Sequence, residues 1–332
     1  MRLRFGLIMV ALTLLARPAC AGVFEDCNQP LDADKAIAAC TGALTTPTLD
    51  NSNRALVYAH RGFAFFRKVD YDHALDDYNE AIRLYPTYAK LYTERGNVMI
   101  FKGDFDRAIS DYDESIRLDP KYANAYEGRA KAWFEKKDLD RAISDSGVAI
   151  RLNPSGPVPY NNRGYFWRVK GELDLAIADF DMAIQLSPRY ANAYSNRGET
   201  WRQKGDLDRA IADQDRALDI NPKSAVNHVL RGDTLRSKGE YTKALFDYDS
   251  ALALLAQYIP ALTGRCLTYE KLGDLGRARQ EFEKALSSRS PYRNDVSAVA
   301  IETAHARLAA LRSKSAQPIV PPAPSRAISP ST

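Results

Sequence analysis

In residues 191–224, apolar and small side chains recur every three or four positions. Ala191, Tyr194, Gly198 and Trp201 form one stripe, and Leu207, Ala210, Ile211, Ala217 and Leu218 form a second. Lys204-Gly205-Asp206 separates the stripes, and Asn221-Pro222 closes the second. Spacing of this kind predicts two amphipathic helices joined by a tight turn. The second should stop at Asn221, because the residue before proline is disfavoured in helical geometry.

The same pattern returns along the chain. Pro86, Pro120, Pro154, Pro188 and Pro222 stand 34 residues apart. Arg61, Arg95, Arg129, Arg163, Arg197, Arg231 and Arg265 keep that interval, as do Ala74, Ala108, Ala142, Ala176, Ala210, Ala244 and Ala278. A fixed period of this size is the mark of a repeat array. The units run 55–88, 89–122, 123–156, 157–190, 191–224, 225–258 and 259–292.

Within them, unit 89–122 supplies Tyr92, Gly96, Ala108, Tyr112 and Pro120, and unit 157–190 supplies Tyr160, Gly164, Trp167, Ala176, Phe180 and Pro188. This series of aromatic, glycine, alanine, aromatic and proline resembles the tetratricopeptide repeat, over 238 of 332 residues. Departures are local. Arg precedes the glycine where the family has Leu, Cys266 replaces the glycine of the last unit, and Ala256 and Ser290 replace the closing prolines of the last two units. Ser146 and Gln214 stand where the second helix usually has an aromatic. The resemblance implies an all-α superhelical solenoid of about seven tandem helix-turn-helix repeats. In that family the first helices line a concave groove that holds an extended peptide or a partner helix. The best-known groove of the family grips a C-terminal carboxylate, but Ala59 and Phe63 occupy the corresponding places of the first unit, so that property does not transfer.

Both ends of the array look capped. Ala36, Ile37, Cys40, Ala43 and Leu44 repeat the second-helix stripe alone, so residues 22–54 read as an N-terminal half repeat. After Pro291, Asn294-Asp295 can cap a helix over 293–314 with Val296, Val299, Ala300, Leu308 and Leu311 on its apolar side. Residues 315–332, with Pro318, Pro321, Pro322, Pro324 and Pro330, read as a disordered tail. At the other end, Arg2 and Arg4 precede an apolar run, Phe5 to Ala16, and a small-residue site, Ala19-Cys20-Ala21. That is the plan of a secretory signal peptide over residues 1–21. The run falls short of the ~20 residues that a membrane span requires. The expectation is an exported protein, periplasmic or secreted, without integral membrane insertion. Cysteine use agrees: Cys27 and Cys40 would pair as a disulfide in an oxidising compartment.

Composition adds exclusions. With 45% hydrophobic residues the chain has ample material for a core, which rules out disorder throughout. The net charge is +4, and cleavage after Ala21 would remove three arginines and no acid, leaving 43 basic against 42 acidic residues. So even a balance offers no field for nucleic acid or anionic lipid. His60 and His73 fall in the first unit, His228 in the sixth and His305 beyond the array, and no nucleophile elbow, zinc-helix motif or phosphate loop is present. We expect no enzyme, no cofactor and no metal site.

Two polar patterns remain. Asp77, Asp111, Asp145, Asp179, Asp213, Asp247 and Glu281 share the period of the arginines. Two antiparallel helices turning near Gly205 bring Arg197 level with about Gln214, so each Arg should pair with the acid of its own unit. The second pattern is the outward stripe of the first helices, which predicts a partner-binding groove. Asn161, Tyr165 and Arg168 lie on it in one unit, Asn192 and Arg202 in the next, and Arg236 after that. Toward the front, Phe66, Asn97 and Phe134 make the same face more apolar. The competing structural reading is that Glu199–Arg202 and Asp233–Arg236 satisfy each other at i, i+3. The sequence therefore reads as a protein-binding scaffold for a protein or peptide partner. The alternative is an assembly subunit of a cell-envelope complex that uses its edges or convex face.

Overall fold

The computed structural model describes Cys27, residues 32–287 and residues 295–315. The expected signal segment and the proline-rich tail beyond Ser315 lie outside the described residues. Among those described there are sixteen helices and no strand. They fall into two compact units, one up to Thr200 and one from Trp201 onward, with the division inside α10 (Ala191–Gln203).

The first unit begins with α1 (Ala33–Leu44) and continues as hairpins. These are α2 (Asn51–Arg67) with α3 (Tyr71–Leu84), α4 (Ala89–Lys102) with α5 (Phe105–Leu118), α6 (Ala123–Glu135) with α7 (Leu139–Leu152), and α8 (Pro157–Lys170) with α9 (Leu173–Leu186). The second unit contains α11 (Leu207–Ile220), α12 (Ala225–Lys238), α13 (Tyr241–Leu254), α14 (Ile259–Lys271), α15 (Leu275–Ser287) and α16 (Asp295–Ser315). Consecutive helices pack on one another within each unit, which makes the fold an all-α repeat solenoid. In the first unit α2 also touches α4, and α4 touches α6, whereas α3, α5 and α7 do not meet to a comparable extent. First helices therefore form the inner side of that stack. In the second unit α12 likewise touches α14.

Local chemistry explains the hairpins. Asp70, Asp104, Asp138 and Asp206 cap second helices, each accepting from the backbone N–H three residues on. The turn before each cap needs a left-handed residue, and Gly103, Gly171, Gly205, Gly239 and Gly273 supply it with φ of 80–92°. Val69 and Lys137 occupy the same turn in two repeats at φ 66° and 65°, without glycine's freedom.

The core is built from one alanine and one ring per repeat. All seven alanines from Ala74 to Ala278 are fully buried. Tyr78, Tyr112, Phe180, Tyr248 and Phe282 fill the space between hairpins, each burial contributing roughly 2–3 kcal/mol. Tyr112 shows why small residues surround the ring: a Cβ on Gly128 would come within 2.4 Å of it, and one on Gly96 within 2.9 Å. Where the ring is missing, the following first helix compensates. Phe166, buried at 3%, packs with Ala130 and Ala142 of the repeat that carries Ser146. Gln214, also buried, donates to Thr234 Oγ1 at 2.8 Å.

The ends follow the same logic. α1 packs on α2, with Cys40 and Ala43 joining Cys27, Leu49 and Val57 in a small core. Cys27 and Cys40 lie at disulfide distance, Cα atoms 4.8 Å apart. At the far end Ala304, Leu308 and Leu311 of α16 are buried with Cys266, Ala278 and Phe282. One expectation needs correcting here. Val299 is 63% exposed, and Ala304 takes the apolar position instead, since burial follows 300, 304, 308 and 311 along the helix.

Candidate functional site

The arginine ladder is a structural device. Arg61, Arg95, Arg129, Arg163 and Arg231 each clasp Asp77, Asp111, Asp145, Asp179 and Asp247 through two hydrogen bonds of 2.7–2.8 Å. Arg265 bonds Glu281 at 2.7 Å. Hydrogen bonding to Asp145 holds the Arg129 guanidinium above its ordinary value. The aspartates are nearly inaccessible, so these charges are consumed by the fold and are not offered to a ligand.

A second bond from the same arginines ties each repeat to the one before. Asn79, Asp113, Asp181, Asp215 and Asp249 accept from Arg95, Arg129, Arg197, Arg231 and Arg265, each sixteen residues on. These acceptors also recur every 34 residues, a signal present in the sequence but not used in reading it. Gly147 breaks the series, so Arg163 has no such rung.

The inner face of the first unit carries what the ladder leaves over. Phe66 meets Tyr71 and Phe101 at ring separations of 5.9 and 5.0 Å, and Phe101 is 47% exposed. Asn97 Oδ1 accepts from the Tyr112 hydroxyl at 2.9 Å. Beside it, burial pushes the half-buried Glu94 carboxyl above its ordinary value of 4.5, with only the Lys90 charge and a 3.5 Å bond from Asn97 to counter this. His60, in α2, is held down at about 4 by burial and by Lys90, so it is neutral at physiological pH. Phe134 of α6 stacks on Phe166 at 5.0 Å and meets Tyr165 of α8 edge-on at 5.3 Å. Arg168 lies over the Tyr165 ring at 4.9 Å.

The structure thus gathers Phe134, Tyr165 and Arg168, and separately Phe66 with Phe101. Asn161 departs from expectation. It is 6% exposed and its Oδ1 accepts from Asn196 Nδ2 at 3.0 Å, because its place on α8 faces the following first helix instead of solvent. Asn192 is exposed. Arg202 and Arg236 belong to the second unit, where both are half-buried. Arg236 bonds Asp233 at 3.2 Å and the Tyr248 hydroxyl at 3.3 Å. Among the described residues no three His, Cys, Asp or Glu side chains gather as a metal site, and no helix is long and apolar enough to cross a membrane.

Sequence comparison places Tetratricopeptide repeat profiles on residues 93–157 and 168–225, and on residues 266–291. No curated protein matches the chain. Among solved structures, the APC/C hetero-tetramer Cut9–Hcn1 aligns with 86% of this chain and 54% of its own, at TM-score 0.62 and 19% identity. The chain thus spans about half of that protein. A tetratricopeptide repeat protein from Parabacteroides merdae aligns over 76% of this chain and 98% of its own, at TM-score 0.61 and 18% identity. PilW, a type IV pilus biogenesis factor, aligns over 64% and 97%, at TM-score 0.56 and 20% identity. At such identities the likeness is one of fold.

Proposed function

The chain belongs to the tetratricopeptide-repeat family, and from that premise we propose that it is a non-enzymatic scaffold holding an extended peptide or partner helix against its first helices. The observation that carries this reading is the division of labour between the faces of the first unit. Its ladder arginines are spent on Asp77, Asp111, Asp145 and Asp179. The inner face instead keeps aromatic groups in reach of a partner, Phe101 at 47% exposure among them. A preformed face of this kind lowers the ordering cost of a bound segment and collects several modest contacts. We further propose that the protein is exported and that Cys27 and Cys40 form a disulfide, which their 4.8 Å Cα separation accommodates. Counting free thiols in the secreted protein tests this: one thiol, Cys266, supports it and three oppose it.

The second reading, assembly through the outer face, has Phe246 in its favour, 68% exposed on α13. Selection of short peptides on the full chain separates the two. A groove binder should lose its selected peptides on Phe101→Glu and Tyr165→Glu and keep them on Phe246→Glu. The reverse pattern would favour the outer face.

A further inference from the structure

We propose that Arg168, with Tyr165 and Phe134, receives an acidic side chain of the bound segment, next to an apolar residue that meets the two rings. This rests on the groove reading above and adds the chemistry of the partner. The case comes from comparing two repeats of the same chain. Arg236 holds the equivalent place 68 residues later, and there the chain satisfies it internally. Asp233 accepts from its guanidinium at 3.2 Å, and the Tyr248 hydroxyl, itself donating to Asp233 at 2.7 Å, lies 3.3 Å from its Nε. In the fourth repeat both partners have been replaced: Tyr165 stands for the aspartate, and Phe180, with no hydroxyl, for the tyrosine.

The consequence is visible in the structure. Arg168 makes no ion pair among the described residues, and its Nε is shut off from solvent without a hydrogen-bond partner. Glu172, four residues on, is exposed and makes no ion pair with it. The guanidinium instead rests against the Tyr165 ring, its Cζ 4.9 Å from the ring centre. A half-buried, oriented cation without its counter-ion gains more from an incoming carboxylate than a fully exposed one does. The adjoining Phe134–Tyr165 contact bridges two first helices, which puts the cation on the inner face beside an apolar surface. The carboxylate is taken to be a side chain, because a single guanidinium flanked by rings fits an acidic residue within a continuing extended segment.

The test uses a library of short peptides, acetylated and amidated so that only side chains carry charge, selected on the full chain. Wild type should enrich Asp or Glu beside an aromatic or aliphatic residue. Replacing that acid by its amide in the best-selected peptide should weaken binding about tenfold, and the difference should vanish on Arg168→Gln. A second variant, Tyr165→Asp with Phe180→Tyr, rebuilds the internal partners of the sixth repeat and should silence the acidic preference with Arg168 still present. Circular dichroism melts confirm that each variant is folded. Peptides that need Phe101 but show no acidic preference would overturn this inference and leave the groove reading standing. Peptides that depend on Phe246 alone, or no binders at all, would overturn both.

Discussion

Replacing Gly147 by aspartate should stabilise the protein by supplying the rung that Arg163 lacks. A Cβ at Gly147 would lie 3.7 Å from Arg163 Nη1, an ordinary contact, so the substitution needs no rearrangement. The four existing Asp rungs have N···O distances of 2.5–2.7 Å, with the acids 51–59% exposed. Ion pairs that open to solvent contribute about 0.5–1 kcal/mol. Removing glycine from the interior of α7 adds about 0.3 kcal/mol, since aspartate is only slightly the better helix former. The total is about 1 kcal/mol, or a rise in melting temperature of about 2–4 °C for a chain of this size. The measurement is a thermal melt of wild type, Gly147→Asp and Gly147→Asn at low salt and at about 0.5 M salt, where charge is screened. Arg151 Nη1 is also 3.7 Å away, so the comparison is repeated on Arg151→Gln. If asparagine stabilises as well as aspartate, or if the advantage disappears with Arg151, the rung argument is wrong.

Three further outcomes follow from the same structure. Val69→Gly should stabilise by about 0.5–1 kcal/mol, because Val69 sits at φ 66° and is 45% exposed, so relief of left-handed strain outweighs both lost packing and glycine's entropy; a lower melting temperature would refute it. Arg129→Ala should cost about 3 kcal/mol by stranding Asp145, whose side chain is only 9% exposed, while Lys136→Ala, facing the 81% exposed Asp106, should change stability by no more than about 0.5 kcal/mol in denaturant titrations. Glu94→Gln should raise the melting temperature at pH 7. The folded-state carboxyl lies above its unfolded value of 4.5, so folding favours its neutral form. Protonation restores that stability in wild type as pH falls, and the gap between the two proteins should close on approaching pH 4.5. A gap independent of pH would show that Glu94 is not the source.

Some of the site was open to sequence reading and some was not. The Arg–Asp clasps were legible because antiparallel helices joined by a short turn leave one way to align the two periodic charges. The inter-repeat rungs obey the same period. They were overlooked because pairing was sought within a repeat only. Asn161 was misplaced because a stripe drawn on one helix cannot tell the side facing solvent from the side facing the next first helix. The isolation of Arg168 was half visible, in the tyrosine three residues before it. Its other half, the missing hydroxyl of Phe180, lies on a different helix and becomes relevant only once the hairpin closes.

By itself the amino-acid order determined the repeat length, the two helices per repeat, their caps and turns, and the alanine-and-ring core. These depend on residues close in the chain and on a period that multiplies a weak local signal. Tertiary structure decided which side chains the stacking consumes and which it leaves exposed. It packed Phe166 against Ala130 and Ala142, buried Asn161, and left one oriented arginine without its internal acid. Such outcomes depend on distances between neighbouring hairpins, which no single helix specifies.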